Sequence, residues 1–183
     1  MEFAPITITL KDGRKAILRS PVKEDARELL DYLYTTCTET PFLLRTPQDP
    51  ELTLEDEEAF IEGMVANPDR VMILCVMDGR VAGTCDLRFN SRVKTKHRAE
   101  MGIALRRDYW GLGIGTAMIT QLIALARARE GVIQLELEYL EGNARARALY
   151  EKMGFRIVGV RPDAIRQIDG TLINEYRMML KLD

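Results

Sequence analysis

The spacing of apolar residues changes several times along the chain, and each change marks an element. Residues 6–10 and 15–19 read as strands flanking Asp12-Gly13. After Pro21, apolar residues at Ala26, Leu29, Leu30 and Leu33 predict a helix over Val22–Thr36. Pro41, Pro47 and Pro50 break the next stretch into a loop. Thr53, with Asp56 three residues on, resembles a capping box and opens a second helix that ends near Asn67-Pro68. Val71–Met77 is continuously apolar, which suits a central strand buried on both faces. Strands at Arg80–Asn90 and Lys96–Leu105 follow, and then a helix over Thr116–Glu130 with Met118, Ile119, Leu122, Leu125 and Ala126 along one side. Val132–Tyr139 alternates, with Ile133, Leu135, Leu137 and Tyr139 opposite Gln134, Glu136 and Glu138. Asn143 suits the N-cap of a short helix ending at Met153-Gly154, and Phe155–Ile168 with Leu172–Leu182 forms a last hairpin. The Asp-Gly pairs at 12-13, 78-79 and 169-170 all predict type I′ turns. The order ββ-αα-βββ-α-β-α-ββ argues for an α+β fold around one central mixed sheet.

Composition narrows the function. The chain has 183 residues, 46% of them hydrophobic, which is enough for one domain over residues 1–183 with a real core. Lys plus Arg is 26 against 28 for Asp plus Glu, a net charge of −2, so the basic footprint of a general nucleic-acid binder is missing. No run approaches the ~18–20 apolar residues of a membrane helix. The opening Met1-Glu2-Phe3-Ala4-Pro5 has neither a basic nor an apolar leader segment, and a cytoplasmic protein is expected. The three cysteines make no CxxC. A two-residue turn at Asp78-Gly79 sets Cys75 opposite Ala82 and Cys85 opposite Met72, out of register for a disulfide, so reduced thiols are expected. His97 is the only histidine, which leaves little for a histidine zinc site or a Ser-His-Asp triad.

Gly111-Leu112-Gly113-Ile114-Gly115-Thr116 joins a strand to a helix, the geometry in which unpaired amides and the helix dipole favour an anion. A nucleotide P-loop needs Gly-Lys-Ser/Thr, and no lysine precedes Thr116. A dinucleotide fold needs G-x-G-x-x-G after an early strand, against G-x-G-x-G deep in this chain. The diphosphate of coenzyme A remains, beside the plain alternative of a glycine turn that packs a helix tightly.

Leu149-Tyr150-Glu151-Lys152-Met153-Gly154-Phe155, six residues after Asn143, joins this glycine turn and the strand Ala99–Leu105. Together they resemble the Gcn5-related N-acetyltransferase (GNAT) superfamily, with its ribosomal-protein and polyamine acetyltransferase branch nearest in motif. The resemblance spans nearly the whole chain and is most specific over Arg98–Phe155. It implies a three-layer α+β fold: a mostly antiparallel sheet with helices on both faces, splayed between the family's fourth and fifth strands, here 96–105 and 132–139. It implies acetyl-CoA as co-substrate, its pantetheine arm against Ile103, Ala104 and Leu105 and its diphosphate on Gly111, Leu112, Gly113, Ile114, Gly115 and Thr116. Asn143 would touch the pantetheine arm or serve as an N-cap alone. Trp110 stands where the family usually has Arg or Gln, which removes one phosphate donor; Arg106 or Arg107 is the candidate replacement.

The implied reaction is direct acyl transfer to a primary amine, and three needs follow. The amine must lose a proton, and Glu100 is the expected base, with Glu136 and Glu138 as alternatives. The developing oxyanion needs a donor, expected at the Leu105 N–H. The departing thiolate needs a proton donor, expected at Tyr150, whose other reading is an aromatic packed on the sheet. The resemblance puts the acceptor against the first two helices, the loop Thr38–Pro50 with Phe42 and Arg45, and the late strands. Glu51 and Glu55–Glu58 would attract a cationic amine or simply form a solvated helix start. The acceptor is expected to be a small amine such as a polyamine, amino acid or drug. A protein N-terminus and a non-catalytic acyl-CoA-binding domain remain as alternatives. The strand Glu175–Leu182 is the candidate for pairing across a homodimer.

Overall fold

The computed structural model describes residues 1–182. Its elements are β1 (Ile6–Thr9), β2 (Lys15–Arg19), α1 (Ala26–Glu39), α2 (Leu54–Ala66), β3 (Arg70–Met77), β4 (Arg80–Phe89), β5 (Arg98–Leu105), α3 (Ile114–Ala128), β6 (Gln134–Leu140), α4 (Ala144–Lys152), β7 (Arg156–Arg166) and β8 (Leu172–Lys181). The predicted order holds throughout. The strands form one sheet in the order β1-β2-β3-β4-β5-β6-β8-β7. Every neighbouring pair is antiparallel except β5 with β6.

Local chemistry accounts for the boundaries. Thr53 caps α2 by accepting from the Asp56 N–H at 3.1 Å, and the Asp56 carboxylate accepts in return from the Thr53 N–H at 3.0 Å. Asn143 caps α4 by accepting from the Ala146 N–H. Only Asp78-Gly79 is the expected type I′ turn, with φ of 52° and 76°. The other two Asp-Gly pairs sit in three-residue loops: Leu10 N–H donates to Arg14 O and Gln167 N–H to Thr171 O, each at 2.8 Å, and only Gly13 and Gly170 are left-handed. There the aspartate side chain accepts from the amide two residues on, at Arg14 and Thr171, which holds it in an ordinary conformation.

The strand β3 is the spine of the fold. Val71, Ile73, Cys75 and Met77 face the core that α3 and α4 cover, and Leu74 faces a second core with Ala26, Leu29, Tyr32, Ile61 and Val81 under α1 and α2. A bulge between Cys75 and Val76 shifts the pairing by one residue, so Cys75 faces Gly83 and Cys85 faces Ile73 rather than the predicted partners. All three cysteines are free and buried. The proposed dimer edge is corrected as well: β8 is hydrogen-bonded on both sides, to β6 and β7, so it has no free edge for a second chain.

Truncating the spine should cost more than removing a cap. Leu74→Ala is expected to lower the unfolding free energy by about 2–5 kcal/mol, and Thr53→Ala by about 1 kcal/mol, both read from urea unfolding midpoints.

Candidate active site

The sheet opens where β5 and β6 part. The two strands pair at Arg98, Ala99 and Glu100 with Gln134, Leu135 and Glu136, and share no ladder beyond. Each stays in the sheet through its outer neighbour, β4 for β5 and β8 for β6. At the ends of the β4–β5 ladder, Arg106 N–H donates to Ala82 O and Asn90 N–H to Arg98 O. Both bonds join even-numbered residues. By antiparallel alternation, Met101, Ile103 and Leu105 turn their amides and carbonyls toward the gap. Residues 102–105 are all half-buried, whereas Ala99 and Met101 earlier in the strand are buried.

The glycine turn lies at the end of this gap. Gly111 and Gly113 have φ of 82° and 91°, a backbone that other residues adopt only with strain. Gly115 is wanted for a different reason: a Cβ there would come within 2.9 Å of Leu149 and 3.3 Å of Leu105. The first intrahelical bond of α3 runs from Ala117 N–H to Gly113 O. Among the described residues, the amides of Leu112, Gly113, Ile114, Gly115 and Thr116 therefore have no acceptor. The β1–β2 turn supports the loop from behind, Lys11 N–H donating to Leu112 O at 3.0 Å.

Trp110 is integrated rather than substituted at random. Its indole N–H donates to Leu105 O at 2.9 Å, pinning the end of β5. Its ring is in cation–π contact with the guanidinium groups of Arg107, at 5.7 Å, and Arg145, at 4.7 Å. Arg106, one of the two expected replacements for the missing donor, is corrected. It is buried, ion-paired to Glu28 and Asp31 at 3.0 and 2.9 Å, and stacked on Tyr32, so it faces away from the glycine turn.

Tyr150 is buried against Tyr139 and Phe155, with ring centroids 6.3 and 6.2 Å away. Its hydroxyl meets no hydrogen-bond partner among the described residues and is not sealed from solvent. Burial of the ring pushes its pKa up to about 12, so the phenol stays protonated at neutral pH.

On the α1/α2 face of the sheet, a cavity of about 510 Å³ lies between α1, α2, β3 and β4. Leu29, Leu33, Phe60, Met64 and Met72 supply its apolar wall, and Tyr32, Thr84 and Asp86 reach its floor. The Tyr32 hydroxyl donates to Ala104 O at 2.8 Å and lies 3.2 Å from Thr84 Oγ1, so the cavity floor meets β5 beside the gap. The loop after α1 closes over the strand ends: Glu39 accepts from the Arg107 N–H at 2.7 Å, and Phe42 lies 3.5 Å from where a Gly142 Cβ would stand.

The three carboxylates considered as bases meet different fates. Glu100 is ion-paired to Arg88 and within reach of Asn90; burial raises its pKa, but those two contacts outweigh it and hold the carboxyl below the usual range. Glu136 lies on no solvated face: it is buried and bonded to Gln134 and Arg98. Glu138 is ion-paired to Arg177 at 2.5 Å. In the acidic run, Glu57 also turns inward, and burial raises its pKa. Tyr32, Asp86 and Arg70 are pocket residues that sequence reasoning missed. The one sequence signal was Asp86 itself, the sole acidic residue of β4, set between Cys85 and Leu87.

The model of the acetyltransferase (GNAT) family matches residues 28–155, and this chain belongs to that family. It is an N-acetyltransferase whose acyl donor is acetyl-CoA, and the bare amides of 112–116 with the unpaired edge of β5 suit a pyrophosphate and its amide-bearing arm. A crystal structure of a GNAT-family acetyltransferase from Streptococcus pneumoniae superposes with a TM-score of 0.83 at 26% identity, covering 92% of this chain and 99% of that one. A putative acetyltransferase from Salmonella typhimurium, solved with acetyl-CoA, shares the fold with a TM-score of 0.77 at 18% identity, covering 92% of this chain and 94% of that one. Among curated proteins, the L-amino acid N-acetyltransferase AaaT of Escherichia coli (strain K12) is 26% identical over 118 residues, 64% of this chain and 72% of its own. No helix of the described residues is long and apolar enough to cross a membrane.

Gly113 offers a direct check on the anion site. Gly113→Ala forces a Cβ onto a backbone at φ 91°, and acetyl-CoA affinity should fall about tenfold, equivalent to ~1.4 kcal/mol, when measured by calorimetry.

Proposed function

We propose that this enzyme acetylates the primary amine of a small molecule held in the cavity under α1 and α2. The observation that carries the reading is the junction at Ala104: the cavity floor, through Tyr32 and Thr84, touches the same strand whose other edge is free toward the gap. The loop between α1 and α2 adds Arg45 and Leu52 to the cavity wall, which suits a compact acceptor better than a peptide laid in an open groove. The name of the Escherichia coli relative puts free amino acids at the head of the candidates.

In this reading the diphosphate of acetyl-CoA rests on the amides of Gly111, Leu112, Gly113, Ile114, Gly115 and Thr116, with Trp110 bracing the turn and Arg145 adding charge at its rim. The pantetheine amides pair with Ile103 and Leu105, on either side of Ala104. The Leu105 N–H points into the gap and receives the developing oxyanion. Asn143 is engaged as the cap of α4, which sets the helix that carries Tyr150.

Tyr150 serves the leaving group. A phenol at about 12 lies above a thiol near ~8.5, so complete proton transfer to the sulfur is uphill. Its contribution is a hydrogen bond that stabilises the thiolate as the C–S bond breaks. Glu100, Glu136 and Glu138 are each committed to a neighbouring cation or amide, which makes any of them a weak general base.

A panel of amino acids, polyamines, aminoglycosides and N-terminal peptides, assayed by thiol release, tests the acceptor class. Acetylation of small amines is expected; acetylation of peptides alone would overturn the reading. Tyr150→Phe should lower kcat about 100-fold with acetyl-CoA affinity within about twofold, and an unchanged kcat would remove Tyr150 from the chemistry.

A further inference from the structure

Nearly every arginine that touches the sheet is already matched to a carboxylate. Arg19, Arg88, Arg98, Arg106, Arg161 and Arg177 all form ion pairs. The cavity is the exception. Asp86 has no hydrogen-bond or ion-pair partner among the described residues, although its carboxylate is one of the groups lining the cavity floor. Arg70 lines the same cavity, half-buried, and among the described residues its side chain makes one hydrogen bond, a weak one from Nη1 to the Met64 sulfur at 3.8 Å, and no ion pair.

Their placement on the sheet is specific. Asp86 pairs with Met72 across β3 and β4, and Arg70 lies two residues before Met72 on β3. The two groups are thus a diagonal pair bracketing one apolar side chain, about 7–8 Å apart at their backbones. On its other side Asp86 faces Gly102 of β5, where a Cβ would come within 2.8 Å of its Oδ1. The carboxylate therefore overhangs the strand whose far edge is the acyl-donor gap, and Gly102 leaves room for it.

We propose that Asp86 and Arg70 hold the two ends of an α-amino acid, Asp86 the ammonium nearest the gap and Arg70 the carboxylate away from it. The side chain of that amino acid lies along Leu29, Leu33, Phe60, Met64 and Met72, so an apolar amino acid fits best. This rests on the acceptor reading above and gives it a substrate class. An acidic acceptor side chain would meet Glu57, and a polyamine would leave Arg70 unmatched.

The chemistry balances at the same residues. Asp86 takes a proton from the bound ammonium, and the freed nitrogen lone pair forms the C–N bond to the acetyl carbon. The C–S bond breaks with its electron pair on sulfur. The second nitrogen proton ends on that thiolate to give the thiol, and Asp86 returns its proton to solvent. The α-ammonium of a free amino acid is more acidic than a lysine-type ammonium near ~10.4, which makes the first step easier. Partial desolvation by the cavity walls raises the Asp86 pKa above the usual aspartate value, against the opposing pull of Arg70 and Arg88, while the side chain stays open to solvent; Glu100 is held the other way, so Asp86 is the stronger base. The charged groups around it are Arg70 from β3, Arg88 from β4, and Asp56, Glu57 and Arg45 across the cavity, with the Tyr32 hydroxyl from α1 beside them.

The test separates the two ends of the ligand. Binding of free methionine, its amide and N-acetylmethionine is measured by calorimetry with CoA present, alongside acetylation kinetics, for the parent, Asp86→Asn and Arg70→Met. Arg70→Met should raise KM for methionine at least tenfold and leave methionine amide unchanged. Asp86→Asn should lower kcat/KM about 100-fold and weaken methionine but not N-acetylmethionine. It should also abolish the acid limb of the pH profile, which in the parent rises with pH as Asp86 deprotonates. Asp86→Glu should recover part of the rate, and acetyl-CoA affinity within about twofold of the parent shows that each variant is folded. Equal loss for methionine and its amide in Arg70→Met, or an unaltered acid limb in Asp86→Asn, overturns the proposal. If the parent binds methionine yet acetylates nothing, the acceptor reading fails while the binding assignment stands; if it acetylates amines but ignores methionine, the reverse holds.

Discussion

The separation of β5 from β6 after three residue pairs is the constraint on which everything else depends. A sheet interior normally pairs every backbone group, because a lost hydrogen bond in a dry interior is expensive. Here two central strands part after three residue pairs, each keeping its outer partner and turning its other edge to an open wedge. The amides that line the wedge, and those of the first turn of the helix that opens at Gly113, have no acceptor among the described residues. A donor-rich slot of this shape wants a ligand with phosphates at one end and amides along its length. The acyl donor of the family has that composition.

The surroundings hold the wedge open. On one side Tyr32 and Trp110 fasten the end of β5, the first through Ala104 O and the second through Leu105 O. Arg106, buried among Glu28, Asp31 and Thr35, ties the same corner to α1. On the other side β6 is held by seven residue pairs to β8. The aromatic residue at position 110 thus exchanges a phosphate donor for a structural hydrogen bond, and Arg145 stacked on its ring restores positive charge nearby.

Charge is arranged by the same logic. Carboxylates that look equivalent along β4, β5 and β6 differ by what stands opposite them. Arg88 neutralises Glu100, Arg177 neutralises Glu138, and Gln134 with Arg98 satisfies Glu136. Asp86 faces a glycine on one side and a methionine on the other, so it keeps an unmatched charge in a largely apolar cavity. Open to solvent and without an ion-pair partner among the described residues, that charge is available for a ligand.

The amino-acid sequence by itself determined the order of elements, both helix caps, the buried spine at Val71–Met77 and the family motifs at 111–116 and 149–155, because each depends on neighbours within a few residues. Turn type was legible only where no side chain intervened: Asp78-Gly79 follows the rule, while Asp12 and Asp169 each bond an amide two residues on and change the loop. The tertiary structure alone decided the rest. A bulge at Cys75 moved a register, Arg106 turned inward, β8 lost its free edge to β7, and Asp86 rather than Glu100 kept its charge free. Each of these depends on which residue the sheet sets opposite another across the molecule, and that juxtaposition is carried by no local pattern.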